Sequence, residues 1–287
     1  MSKRVSYTQV SMFTQCPHRW KLNYVDKIAV RESSIHLIFG TAMHEVLQNY
    51  FTIMYEHSVK AADAFDSETF LYNRLVETFK KDKENSEVFN VTQEQMVEFY
   101  DDGLAIIDFF KKHRGEHFSK RGYELIGCEV PIDLELPNKL KWVGYLDLVI
   151  KDTIHDVIKI YDIKTSTMGW NKWMKTDKGK TDQLLYYKQF YSKQYNHPMD
   201  KIEVEYFIVK RRLYEKVDFP QKRIQKFSPA SGKPSINKAM NNLKVFVVAA
   251  FTEDGEYIEG KEQPTNPSKK NCRWCEYKNT KYCLDGI

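Results

Sequence analysis

No stretch of this 287-residue chain approaches the roughly 18 consecutive apolar residues that a bilayer-spanning helix needs, so no membrane is expected among its partners. The opening residues, Met1-Ser2-Lys3-Arg4-Val5-Ser6, run into polar sequence rather than an apolar leader, which predicts a cytoplasmic location. There is no G-x-x-x-x-G-K-[ST] phosphate loop, so no ATP-driven motor of that kind is built in. Internal repeats and low-complexity tracts are missing, as is any pattern of a sequence-reading helix or finger. Cysteine is scarce: Cys16, Cys128, Cys272, Cys275 and Cys283. In a reducing compartment disulfides are not expected, and the C-x-x-C spacing of Cys272 and Cys275 points to metal or redox chemistry.

What the chain does contain is ample core material. Apolar residues make up 42%, with 18 Tyr and 17 Phe, enough for one large domain, or one domain with appended helical parts. The formal net charge is +5, which suits a protein that binds polyanions without proving it. Distribution says more than the total. Lys172, Lys175, Lys178 and Lys180 crowd one segment, and Lys210-Arg211-Arg212 follow an apolar run. From charge alone a solvated face explains these equally well.

Hydrophobic periodicity divides the chain. Phe39 to Tyr55 places Met43, Val46, Leu47 and Tyr50 at helical spacing, and Glu68–Lys81 and Gln93–Lys112 do the same. From Tyr123 the pattern turns to strands, at Leu125–Leu136, Trp142–Ile150 and Val157–Ile163. A polar loop, Ser166–Lys180, precedes a helix near Thr181–Gln194, strands at Ile202–Lys210 and Glu215–Phe219, and a long helix at Ser235–Phe251. This order predicts a mixed α/β core with a helical N-terminal elaboration.

The chemistry concentrates in Gly144-Tyr145-Leu146-Asp147 and Tyr161-Asp162-Ile163-Lys164-Thr165-Ser166. Residues two apart on a strand share a face, so Asp162 and Lys164 point together while Ile163 points away. If the two strands form a hairpin, Asp147 approaches Asp162. Paired carboxylates there make an oxygen-ligand site suited to Mg²⁺ or Mn²⁺. Lys164 beside them can position a water or stabilise charge developing on a phosphorane. A lone D-x-K is more often a surface ion pair. The strand with Asp147 ahead of it, His44 in Gly40-Thr41-Ala42-Met43-His44-Glu45, and Gln183 with Tyr187 four residues later on one helical face shift the balance.

In that order, G-x-x-x-H, G-x-x-D, D-x-K and Q-x-x-x-Y, the chain resembles the RecB-like branch of the PD-(D/E)xK nuclease superfamily. The resemblance implies a restriction-endonuclease-like mixed β-sheet flanked by helices. It implies Asp147, Asp162 and His44 as metal ligands with the Ile163 carbonyl added, Lys164 as the catalytic lysine, and Gln183 and Tyr187 completing the site. It also implies one nuclease domain over 1–287: a mainly helical part at 1–115, an α/β core at 116–255, and a cysteine tail at 256–287 docking with Cys16.

Cys272, Cys275 and Cys283 leave a four-coordinate site one thiolate short, and Cys16 is the natural fourth. This one-plus-three arrangement looks like the iron–sulfur clasp of Cas4-type and AddB-type nucleases, implying a [4Fe–4S] cluster that pins the chain ends together. Four thiolates with this spacing suit zinc as well by ligand type. Cys128, inside a strand pattern, reads as a small core residue.

Trp170 and Trp173 lie among the lysines after the D-x-K strand. Aromatics interleaved with lysine suit single-stranded DNA or DNA ends, and packing of the loop explains them equally. The expected activity is therefore metal-dependent phosphodiester hydrolysis on DNA, as an exonuclease with scope for endonuclease action. It would serve recombination, repair, replication, or spacer or phage DNA processing, with any helicase or recombination partner a separate polypeptide. The alternative is a non-catalytic nucleic-acid-binding subunit that keeps a metal-stapled, nuclease-like fold.

Overall fold

A computed structural model describes residues 3–28, 32–214 and 217–287. The N-terminal part comprises β1 (Arg4–Val5), α1 (Tyr7–Gln15), α2 (Pro17–Tyr24), β2 (Glu32–Ser33), α3 (Ile35–Glu56), α4 (Val59–Ala64), α5 (Ser67–Asn85), β3 (Val88–Phe89) and α6 (Gln93–His117). There follow β4 (Tyr123–Glu135), β5 (Lys141–Asp152), β6 (Val157–Ser166), α7 (Lys172–Thr176), α8 (Lys178–Thr181) and α9 (Gln183–Tyr195). The chain ends with β7 (Ile202–Lys210), β8 (Ile224–Phe227), α10 (Lys233–Ala250) and α11 (Lys269–Cys272).

The expected mixed α/β core is present. β5, β6, β7 and β8 follow one another in a six-stranded sheet, with β1 and β4 flanking β5. β4–β5, β5–β6 and β7–β8 pair antiparallel, whereas β6–β7 and β1–β5 pair parallel. Strand alternation gives the sheet two apolar faces. Ile158, Ile160, Val204, Tyr206 and Ile208 pack with Leu184, Tyr187 and Phe246 on one face. Tyr161, Ile163, Phe207 and Val209 pack with Phe39, Met43 and Phe110 on the other. Burial on both faces explains why β7 reads as a nearly unbroken apolar run.

Two helices of the N-terminal part hold the second face. α6 begins with a capping box in which Thr92 and Gln95 satisfy each other's backbone donors. At Gly103 it comes so close to its neighbours that a Cβ would lie 2.5 Å from Leu71 Cδ2 and 3.3 Å from Met43 Sδ. α3 is thereby clamped between α5, α6 and the sheet, which fixes the helix that carries His44.

Two expectations need correction. The strand predicted at Glu215–Phe219 lies partly outside the described residues, and Val217–Phe219 are not strand; β7's partner is Ile224–Phe227 instead. Pro220 cannot donate to a ladder, and the alternation of Ile224 and Gln225 fits an edge strand with one buried side. The segment expected as a plain loop at Ser166–Lys180 contains α7 and the start of α8, each capped by a side chain, Asn171 and Asp177.

Candidate metal centre and cysteine tail

The site arises where the sheet comes apart. β5 and β6 pair only between Leu148↔Tyr161 and Asp152↔Val157. β1 meets the same edge of β5 further along, at Lys141 and Trp142. Between these contacts, residues 143–147 of β5 have no strand on that edge. Asp147 sits at the fork, and its Oδ2 accepts the Ile163 N–H at 2.7 Å. The carboxylate takes a donor on β6 just past the point where the two strands stop pairing, and so ties the open strands together.

Three side chains gather around Asp147. His44 Nε2, from α3, lies 2.8 Å from its Oδ2, and His44 Nδ1 lies 3.5 Å from Glu129 Oε1. Gln48, one helical turn beyond His44, donates to Glu129 Oε1 at 2.5 Å and to the Asp147 carbonyl at 3.4 Å. His44, Glu129 and Asp147 each offer a ligand atom, all within 4.8 Å of one another. Neutral imidazole with two carboxylates is a donor set for a hard or borderline divalent cation.

Asp162 and Lys164 stand beside this set. Asp162 is fully buried, and Lys164 Nζ is 2.8 Å from its Oδ2 but off the line of a hydrogen bond. Neither Asp162 oxygen has an aligned donor. A buried carboxylate without aligned donors is costly, and the Lys164 ammonium offsets that cost only in part. Burial raises the Asp162 pKa, and the Asp147 charge adds to the rise against the opposing pull of Lys164 and His44. Burial alone would lower the Lys164 pKa, but Asp162 and Asp147 outweigh it and hold the ammonium charged. For His44 too, burial lowers the pKa and the Asp147 carboxylate more than offsets it. The donor chemistry and the orphaned Asp162 oxygens fit a divalent metal.

Gln183 and Tyr187 close the opposite side. Gln183 Nε2 donates to the Tyr187 hydroxyl at 2.8 Å. α9 reaches β5 across Gly144, where a Cβ would stand 3.2 Å from Tyr187 Cε1. The glycine of G-x-x-D thus makes room for the Q-x-x-x-Y tyrosine. Burial raises the Tyr187 pKa well above the ordinary tyrosine range, so its hydroxyl keeps its proton. A cleft of about 770 Å³ leads in, lined by His36, Thr41, Glu45, Gln48, Lys164 and Thr165 among others.

Two residues of this constellation are not among those the sequence singles out. Gln48 had a usable signal, since it follows His44 by four on a helix. Glu129 had none within its own strand; it faces Asp147 only because Cys128↔Leu148 and Val130↔Leu146 pair around it. Its backbone is left-handed, with φ 51°, an uncommon conformation for a non-glycine residue inside a strand.

The C-terminal tail meets the segment around Cys16. Asn266 and Asn271 both donate to the Gln15 carbonyl at 2.9 Å, and Arg19 pairs with Glu276 at 2.6 Å. His18 lies 2.9 Å from the Tyr282 carbonyl. Burial raises the Cys275 thiol pKa, and Cys16 is near enough to raise it further. Among the described residues, no three of the cysteine sulfurs gather within 4.8 Å of one another. Cys128 is half-buried behind α3, with its Sγ 3.7 Å from the Gln48 carbonyl. The two loop tryptophans part ways: Trp170 is buried, 4.8 Å from the Tyr206 ring, and Trp173 is 81% exposed.

A sequence model of the PD-(D/E)XK nuclease superfamily matches residues 4–280. The chain belongs to that superfamily. Its sheet flanked by helices is the restriction-endonuclease-like fold, its enzymes are nucleases that use divalent metals, and DNA is the substrate class the fold implies. Among solved structures, a protein from Eubacterium rectale described as a "putative exonuclease" is similar at 14% identity and a TM-score of 0.48, covering 85% of this chain and 78% of that one. No curated protein sequence matches. No helix is long and apolar enough to cross a membrane among the described residues.

Proposed function

We propose that the protein is a Mg²⁺- or Mn²⁺-dependent DNA exonuclease of the RecB-like, Cas4-like branch, acting as one domain over 1–287. The observation that carries this is the Asp147 carboxylate at the strand fork, with His44 and Glu129 beside it and the Asp162–Lys164 pair adjacent. Asp147, His44, Glu129, Asp162 and the Ile163 carbonyl would hold the ion. When bound, such an ion lowers the pKa of a water and polarises the scissile phosphate.

The chain's own groups supply the rest. Lys164 stays protonated at neutral pH and presents its ammonium to the oxygen on which charge builds. Gln183 donates to the Tyr187 oxygen, which leaves the Tyr187 proton free to orient a water or a phosphate oxygen. Gln48 holds Glu129 turned toward His44.

For the tail, the reading is a [4Fe–4S] cluster on Cys16, Cys272, Cys275 and Cys283. The polar contacts that seat the tail around Cys16 support it. Zinc on the same four thiolates is the alternative that ligand type allows.

Purified protein should degrade end-labelled DNA with Mg²⁺ or Mn²⁺ and stop on chelation. Lys164→Ala and Asp162→Ala should each lower the rate by about a hundredfold or more. Full cleavage by both variants would sink the catalytic assignment. Anaerobic protein should be brown and contain iron; a colourless, zinc-loaded tail would overturn the cluster reading.

A further inference from the structure

A second cleft, of about 760 Å³, opens between the C-terminal turns of α6 and the β7–β8 connection. Its lining is basic, with Lys210, Arg212, Lys222, Arg223 and Lys226. Arg212 pairs with Glu98, Lys226 lies 3.6 Å from Glu205, and Arg223 donates to the Lys210 and Arg211 carbonyls. Glu116, the acidic member of the lining, is engaged with His113 at 2.7 Å. Among the described residues, Lys210 and Lys222 have no carboxylate partner.

Over this floor stand two aromatic rings. Tyr214 is 60% exposed and Phe219 is 59% exposed. Leaving such rings in water forgoes on the order of 1.5–3 kcal/mol of burial for a side chain of that size. Gln221 holds the Tyr214 backbone through two hydrogen bonds, of 2.5 and 2.6 Å, which anchors the base of that ring.

Lys210 of this cleft and Lys164 of the metal centre stand on neighbouring strands. Lys164 pairs with Ile208 across β6 and β7. Lys210, two residues on, therefore lies on the same face as Lys164, about 7 Å further along.

We infer that this cleft carries a single strand of DNA running to or from Lys164, an inference that rests on the nuclease reading. Lys210 and Lys222 take phosphates, and Tyr214 and Phe219 take bases by stacking. Stacking needs unpaired bases with free faces, which is what favours a single strand over a duplex on these rings.

The test is fluorescence anisotropy of the full-length protein in EDTA with a labelled 20-nucleotide single strand and a blunt duplex, over a series of salt concentrations. Phe219→Ala and Tyr214→Ala should each weaken single-strand binding about fivefold or more. The Lys210→Ala, Lys222→Ala double variant should reduce the salt slope by about 1.4, at about 0.7 per phosphate on a single strand. Blunt-duplex binding should change less than twofold. Melting curves matching the wild type show that each variant is folded. Unchanged single-strand affinity and slope in folded variants would overturn the cleft, as would an equal loss on the duplex. A wild-type protein that binds no DNA at all would overturn the nuclease reading itself.

Discussion

Glu129 offers the sharpest test, because its backbone and its carboxylate make opposite demands. Its φ of 51° costs a residue with a Cβ about 1–2 kcal/mol. Glycine escapes that cost but loses about 0.5–1 kcal/mol elsewhere through greater chain entropy. Replacing Glu129 by Ala or Gly removes the same carboxylate and the same Gln48 hydrogen bond, so their difference isolates the backbone. The Gly variant should be more stable than the Ala variant by about 0.5–1 kcal/mol, reversing the usual order in a strand. For a chain of this size that is a melting difference of roughly 2 °C.

The carboxylate acts through metal affinity. If Glu129 is a ligand, either substitution weakens binding about 10- to 100-fold, by analogy with losses at metal-site residues. At saturating Mn²⁺ the metal-linked gain in stability should then shrink by about 1.4–2.7 kcal/mol. Thermal melting of wild type, Glu129→Ala and Glu129→Gly, each with chelator and with a Mn²⁺ series, reads both effects. A full metal-induced shift in the Ala variant would remove Glu129 from the ligand set. A Gly variant melting below Ala in chelator would refute the strain argument.

Other consequences are independent of that residue. Burial, aided by the Lys226 charge, lowers the His117 pKa to about 4, so this group's contribution to stability is present above its ordinary value near 6.5 and is lost as pH falls toward 4. Replacement by Gln should flatten the stability–pH curve in that window by on the order of 1 kcal/mol, after allowing for solvent screening, as followed by urea unfolding. Gly144→Ala forces the Tyr187 ring aside by a few tenths of an ångström, so cleavage should fall severalfold with about 1 kcal/mol lost from stability; unchanged kinetics would separate Tyr187 from the chemistry. If Cys16 holds the proposed cluster, Cys16→Ser should release iron and cost about 3–5 kcal/mol by opening a very long loop, with faster trypsin cleavage in 256–287. Iron retained at full occupancy would exclude Cys16 as a ligand.

The parts of the site that were legible in the sequence are those whose geometry is local. Asp162 and Lys164 share a face by strand alternation, Gln183 and Tyr187 by helical period, and both relations hold in the fold. The long amphipathic runs located α3, α6, α9 and α10 for the same reason: burial of one stripe is written into neighbouring residues. The strand at Glu215–Phe219 misled because a short apolar pattern does not say which segment will find β7's open edge. Only pairing against Tyr206–Val209 decides that, and Ile224–Phe227 supplies it.

Glu129 shows the same limit inside the site. Its partner is Asp147, eighteen residues away in sequence, and the two meet because β4 and β5 pair with the register of Cys128↔Leu148. A shift of one residue would turn Glu129 to the other face and leave His44 facing a single carboxylate. The fork in the sheet is equally nonlocal, since it needs β6 to leave β5 where β1 later joins the same edge. Asp147 can accept the Ile163 N–H only because that departure frees the donor from strand pairing. The motif fixes which side chains are available, and the register of four strands fixes which of them meet. A substitution that weakens the β1–β5 contact, far from any carboxylate, should therefore disturb metal binding before it unfolds the domain.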